Sequence, residues 1–142
     1  MSKSKTVTFV LILLSSLLCS VGIQHAKSQS QAAISIAQDG SVNPSSAPVQ
    51  RFGNTYYLTE NTSQPLVIER DSIVFDGNGY TFYGDGNNTG INLLCRNIVL
   101  KNTRVTNWET AIQSNYGYNT ITSNYVTSNY YGVVTCSDSS SS

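Results

Sequence analysis

Charge is scarce in this sequence. Of its 142 residues only eight are basic and eight acidic, for a formal net charge of zero. That excludes an acidic tail, a basic nucleic-acid arm and a long salt-bridged helix. The single methionine is Met1 and the single histidine is His25. Beyond the first thirty residues there is therefore no imidazole for acid–base work or metal ligation. After Ser30 no apolar run is long enough for a membrane-spanning helix. Nor does any stretch there sustain apolar residues at i, i+3, i+4 and i+7, which argues against an all-α fold. What remains is Asn, Ser, Thr and Gly, with nine Tyr and scattered Ile and Val. That mixture favours strands and turns.

The first thirty residues stand apart. Lys3 and Lys5 precede an apolar run from Val7 through Leu18, a charged region followed by a hydrophobic segment too short for a comfortable span. Ala26 and Ser28 supply small residues for cleavage after Ser28. Residues 1–28 are therefore read as a signal peptide, with an uncleaved anchor as the alternative. Leu18 before Cys19 is the wrong size for a lipoprotein anchor. Export to the cell surface or the medium is expected either way. Cleavage leaves five basic and eight acidic side chains, a mildly acidic chain with no electrostatic reason to bind nucleic acid.

Residues 29–63 read as a small β cap. Ile34 and Ile36 alternate with polar residues, Asp39-Gly40 makes a turn, and Val49 to Phe52 pairs across Gly53-Asn54 with Tyr56 to Leu58. Residues 64–142 repeat. Gly90-Ile91, Ala111-Ile112 and Gly132-Val133 recur every 21 residues, as do Val105 and Val126, while Ile98 and Ile121 are 23 apart. Thr122-Ser123-Asn124-Tyr125 is echoed five residues later by Thr127-Ser128-Asn129-Tyr130. No leucine ladder is visible, and propeller blades are about twice as long. A parallel β-helix of about three coils fits, with three short strands per turn. Asn78, Asn102, Asn107, Asn124 and Asn129 follow short apolar strands, where a left-handed corner residue is needed. Stacked corners would let each side-chain amide bond the one above. Ile73, Phe75, Ile98, Leu100, Val105, Ile121 and Val126 would line the interior.

Gly90-Ile91-Asn92-Leu93, Asn97 through Asn102 and Asn119 through Asn124 resemble the repeats of the NosD-type family, within the pectin-lyase-like right-handed β-helix group. Ile73 through Tyr80 resembles a first coil of those proteins. The segments Asp39 to Val42 and Gly53 to Tyr56 are similar to those of archaeal surface proteins. The resemblance covers roughly Ile34 to Val134 and implies an all-β, right-handed parallel β-helix. It also implies copper delivery for the founding group, which this chain's lack of mature His and Met contradicts. The serine run Ser137–Ser142 follows Val133-Val134-Thr135-Cys136 without a cap. The repeat region is therefore expected to be incomplete at its C-terminus, as in a truncated member.

Three chemistries remain as candidates. Polysaccharide lyases and hydrolases on related coils use outward carboxylates, often with Ca²⁺. The nearest counterparts here are Asp71 and Asp76, weak catalytic candidates because Asp76 precedes Gly-Asn-Gly and reads as a turn cap. Tyr116, Tyr118, Tyr125, Tyr130 and Tyr131, beside Trp108, would form an aromatic strip that stacks on sugars, or else shield strands and corners. Asn61 and Asn87 open glycosylation acceptor patterns. Cys95 and Cys136 fall two coils apart, about 10 Å, too far for a disulfide, and are read as free thiols filling the core. The expected function is a non-catalytic, structural or binding β-helix facing polysaccharide or envelope components, without a required cofactor or metal. The enzyme is the alternative, and a copper accessory protein ranks third.

Overall fold

The computed structural model describes residues 32–136; residues 1–28 and the serine run at 137–142 lie outside the described residues. Among the described residues there is no helix, and parallel coils stack into a β-solenoid of about four turns. The first turn contains β1 (Ile34–Ile36), β2 (Val42–Asn43), β3 (Val49–Phe52) and β4 (Thr55–Leu58), then a single bridging residue, Thr62. The second holds β5 (Leu66–Ile68), β6 (Val74–Asp76) and β7 (Thr81–Tyr83). The third holds β8 (Thr89–Leu93), β9 (Val99–Lys101) and β10 (Arg104–Thr106). The fourth holds β11 (Thr110–Ser114), β12 (Thr120–Thr122) and β13 (Tyr125–Thr127), and β14 (Tyr131–Thr135) begins the next pass.

Strands at equivalent positions form three sheets. The first runs β14-β11-β8-β5-β1-β2, the second β12-β9-β6-β4-β3 and the third β13-β10-β7. All neighbours are parallel except at the N-terminal edge, where β2 pairs antiparallel with β1 and β3 with β4. These strands cover the first turn, and Val42, Ala47 and Val49 pack their side chains against the core. The repeat spacing alone counts about three coils. The cap segment supplies another, because β1 and β4 sit in the parallel ladders against β5 and β6.

Three-residue strands suffice because alternation puts one or two side chains of each inside. Ile34, Leu66, Ile91, Ile112 and Val133 form one column, and Tyr56, Phe75, Leu100 and Ile121 another. Phe82, Val105 and Val126 form the third. Burial is complete for these through the third turn and partial at Ile121 and Val126. The register corrects one expected pair. Leu100, not Ile98, stands under Ile121, so the step is 21 residues here too.

At the bends the chain takes positive φ at Asn78, Asn97, Asn102 and Asn107, and also at Ser72, Tyr118, Ser123 and Ser128. Asn78, Asn102 and Asn107 are thus left-handed corner residues. Asn124 and Asn129 are not: Ser123 and Ser128 make those bends, and each Asn follows one residue later. Their amides serve a different purpose. Asn119, Asn124 and Asn129 each accept a backbone N–H from the coil below, from Ile98, Thr103 and Trp108 at 2.9–3.0 Å. Each also donates to a carbonyl of that coil, Cys95, Leu100 and Val105 respectively. The expected amide-on-amide ladder is therefore replaced by side chain-to-backbone bridges. One amide pair across coils does form, with Asn115 donating to Asn92 at 2.9 Å.

Trp108 fills the corner between the third and first sheets. It is 4% exposed, and its indole N–H donates to the Phe82 carbonyl at 3.2 Å. Its ring needs the space above Gly84: a Cβ there would sit 2.5 Å from Trp108 Cδ2 and nearer still to the Asn107 carbonyl. Gly84→Ala is expected to lower stability by about 1–3 kcal/mol through overpacking, read as a lower urea midpoint at unchanged slope. Asn124→Ala removes two bonds, each worth about 0.5–1.5 kcal/mol net, and should lower the midpoint without altering the β-rich circular dichroism.

Candidate functional site

The carboxylates are held by the fold. Asp76 ends β6 and accepts the Asn78 N–H at 2.9 Å, which caps the bend. The amide of Asn102, one coil up, donates to the same oxygen at 3.0 Å, and Lys101 Nζ lies 3.3 Å from the other oxygen. Desolvation pushes the Asp76 pKa up, but the Asn78 N–H, the Asn102 amide and the Lys101 ammonium outweigh it, and the group titrates below its ordinary 3.8. Asp71 lies at the neighbouring corner, where its carboxylate accepts the Arg96 N–H at 2.7 Å. Asp85 accepts the Asn87 N–H at 3.1 Å. Asp71 and Asp76 therefore sit at opposite ends of the β6 segment, each engaged in holding a bend. Among the described residues no three His, Cys, Asp or Glu side chains converge.

The outer face of the third sheet is chemically distinct. Thr81, Arg104 and Tyr125 form one outward column, and Tyr83, Thr106 and Thr127 the next. Tyr83 is 47% exposed and Tyr125 60%. They stand on the second and fourth turns, with Arg104 between them on the third. The Arg104 guanidinium lies over the Tyr125 ring, 5.6 Å from its centroid, a contact that fixes both groups. Tyr83 and Arg104 were not singled out as site residues in the sequence. The signal was present, since counting 21 residues back from Tyr125 reaches Arg104.

The five late Tyr do not form one strip. Tyr116 and Tyr118 lie at the corner before β12, Tyr116 under the Arg96 guanidinium at 5.7 Å. Tyr130 and Tyr131 pack edge to face before β14, with centroids 4.6 Å apart. Only Tyr125 of the five lies within the third sheet, and Trp108 is buried rather than beside them. Of the two acceptor patterns, Asn61 already uses its side-chain oxygen to accept the Thr81 N–H, whereas Asn87 lies exposed in the bend before β8.

Both described cysteines are free. Cys95 packs partly against the core and donates to the Ile68 carbonyl at 3.3 Å. Cys136 is exposed. The expectation of two core-filling thiols thus holds in part for Cys95 and fails for Cys136, which is placed one residue past β14.

Among known proteins, no family model, curated protein or solved structure matches this chain. Among the described residues no helix is long and apolar enough to cross a membrane.

Two measurements follow from the electrostatics. Because the folded Asp76 pKa lies below its unfolded value of 3.8, its contribution is full above the unfolded pKa and disappears as pH falls through the folded one. Asp76→Asn should therefore cost stability at neutral pH and flatten the acid limb of a stability–pH curve. Burial, followed by Asp71 and Glu69, raises the Cys95 thiol to about 11. At pH 8 iodoacetamide should label Cys136 well before Cys95, as mapped by peptide mass spectrometry.

Proposed function

We propose that this chain is an exported, non-catalytic member of the NosD-type right-handed β-helix group, whose outer face binds carbohydrate of an envelope or matrix. The observation that carries this reading is the Tyr83–Arg104–Tyr125 face. Two exposed rings two turns apart, roughly 10 Å along the axis, offer flat apolar area for the C–H faces of sugar rings. Arg104 between them has N–H donors for hydroxyl or carboxyl oxygens. Threonines 81, 106 and 127 extend the polar surface around them.

The carboxylate geometry supports binding over bond cleavage. A glycosidase needs two carboxyl groups free to face a scissile bond. Asp76 is committed to a lysine and two hydrogen-bond donors, and Asp71 to a backbone N–H. Ca²⁺ at Asp76 would have to displace Lys101, so the reading requires no metal.

Affinity electrophoresis through gels containing neutral or acidic polysaccharides tests this. At least one polysaccharide should retard the protein without releasing reducing ends or unsaturated uronates. Tyr125→Ala should weaken that retardation by about tenfold or more, because burying an aromatic face is worth roughly 1.5–3 kcal/mol. No retardation by any polysaccharide, or product release, would reject the reading.

A further inference from the structure

We propose that Arg51 and Arg70 form an oxyanion-binding site over the Gln38–Gly40 turn at the N-terminal, covered end of the solenoid, a site separate from the third-sheet face. Arg51 leaves β3 and Arg70 follows β5, so two successive turns deliver the two side chains to one place. That place is marked by Gly40, which has φ +86°. A Cβ on Gly40 would lie 2.5 Å from Arg51 Nη1 and 2.5 Å from Arg70 Nη1. Two nitrogens each 2.5 Å from one point are at most 5 Å apart. Two guanidinium groups thus converge where the backbone carries no side chain.

Neutral oxygens hold the pair in place. Arg51 Nε donates to the Gly53 carbonyl at 2.8 Å and Arg51 Nη1 to the Gly40 carbonyl at 2.9 Å. Its guanidinium also lies 5.5 Å from the centroid of the buried Tyr56 ring, whose hydroxyl donates to the same Gly40 carbonyl. Arg70 Nη1 donates to the Gln38 carbonyl at 3.3 Å, and Nη2 makes a long contact of 3.5 Å to Asn54 Oδ1. Among the described residues neither arginine has a carboxylate within ion-pair distance. Asp39 is the near acid: it spends one oxygen on the Ser41 N–H at 2.8 Å and senses both arginines only at longer range. Glu69 and Asp71, which flank Arg70 in the chain, act on Cys95, one turn further along.

Each arginine has five N–H groups, of which these contacts use two. Carbonyl oxygens satisfy donors but leave the charge of a paired guanidinium uncompensated. Planar forks held at this separation suit the oxygens of a phosphate, a sulfate or a carboxylate. The ligand class is therefore an oxyanion, whether free or carried on a larger molecule.

Titration of the ¹⁵N-labelled chain, followed by ¹H–¹⁵N correlation spectra, tests the site. The probes are sodium phosphate, sodium sulfate and sodium acetate, each against sodium chloride at matched ionic strength. Saturable shifts of the Gly40 and Gly53 amides and the Arg51 Nε–H are expected with at least one oxyanion, and phosphate against acetate separates tetrahedral from planar ligands. Arg70→Gln should weaken the response at least about tenfold, the loss of one charge-assisted contact, with the spectrum otherwise dispersed as in the parent. Tyr83→Ala should leave it unchanged, so failure here and failure of the carbohydrate reading are distinguishable. Shifts that grow linearly and equal those in chloride would overturn the proposal, as would an Arg70→Gln titration that matches the parent.

Discussion

A chain that winds in three short strands per turn must change direction sharply at every bend while its backbone stays hydrogen-bonded to the coils on either side. Positive φ at one residue per bend satisfies both demands, and only Gly and, among L-residues, mainly Asn adopt it at small cost. Asn97, Asn102 and Asn107 occupy the three bends around the third turn. In the fourth turn Tyr118, Ser123 and Ser128 take that conformation. The cost there is offset by the next residue, an Asn in each case, whose side chain clamps a backbone N–H and a carbonyl of the coil below. The five-residue echo in the sequence is the trace of that clamp repeating at successive bends.

The same constraint governs what surrounds the bends. Because every turn must keep register, a bulky residue at one corner requires a small one at the corner beneath it, as Trp108 does above Gly84. Inward columns hold aliphatic and aromatic side chains, so charge is confined to the outside. There it is ordered by the stacking: Asp76 pairs with Lys101 one coil up, and Arg104 covers Tyr125 one coil up. Neighbours across coils are set by the 21-residue step, and so the composition of an outer face is decided residue by residue along the chain.

Much of this was legible in the sequence. The step between Val105 and Val126 and the phase of Ile73, Phe75 and Leu100 gave the coil and its interior. The pair from Val49 to Phe52 and Tyr56 to Leu58 gave the covering hairpin, matching β3 and β4. Less legible was the one-residue offset between left-handed corner and clamping amide, because Asn is suited to both and Ser123 and Ser128 carry no strong positional preference. The Ile98–Ile121 spacing misled for a related reason: Ile98 follows a corner and faces Asn119, while Leu100 takes the strand position under Ile121. The outer groupings were hidden because they combine residues from different turns. Tyr83 with Arg104 and Tyr125, or Arg51 with Arg70, become neighbours only when the register is known.

For function, the structure separates side chains that hold the solenoid together from those left over. Asp71, Asp76 and the corner amides belong to the first kind; the third-sheet tyrosines with Arg104, and the paired arginines beside Gly40, belong to the second. That division rests on the stacking register. Nuclear Overhauser contacts between residues 21 apart test it most directly. Contacts joining Leu100 to Ile121, Val105 to Val126 and Ile112 to Val133, with parallel-strand patterns in the backbone, are predicted from the ladders. Helical contacts, or antiparallel pairing of β9 with β12, would contradict the account.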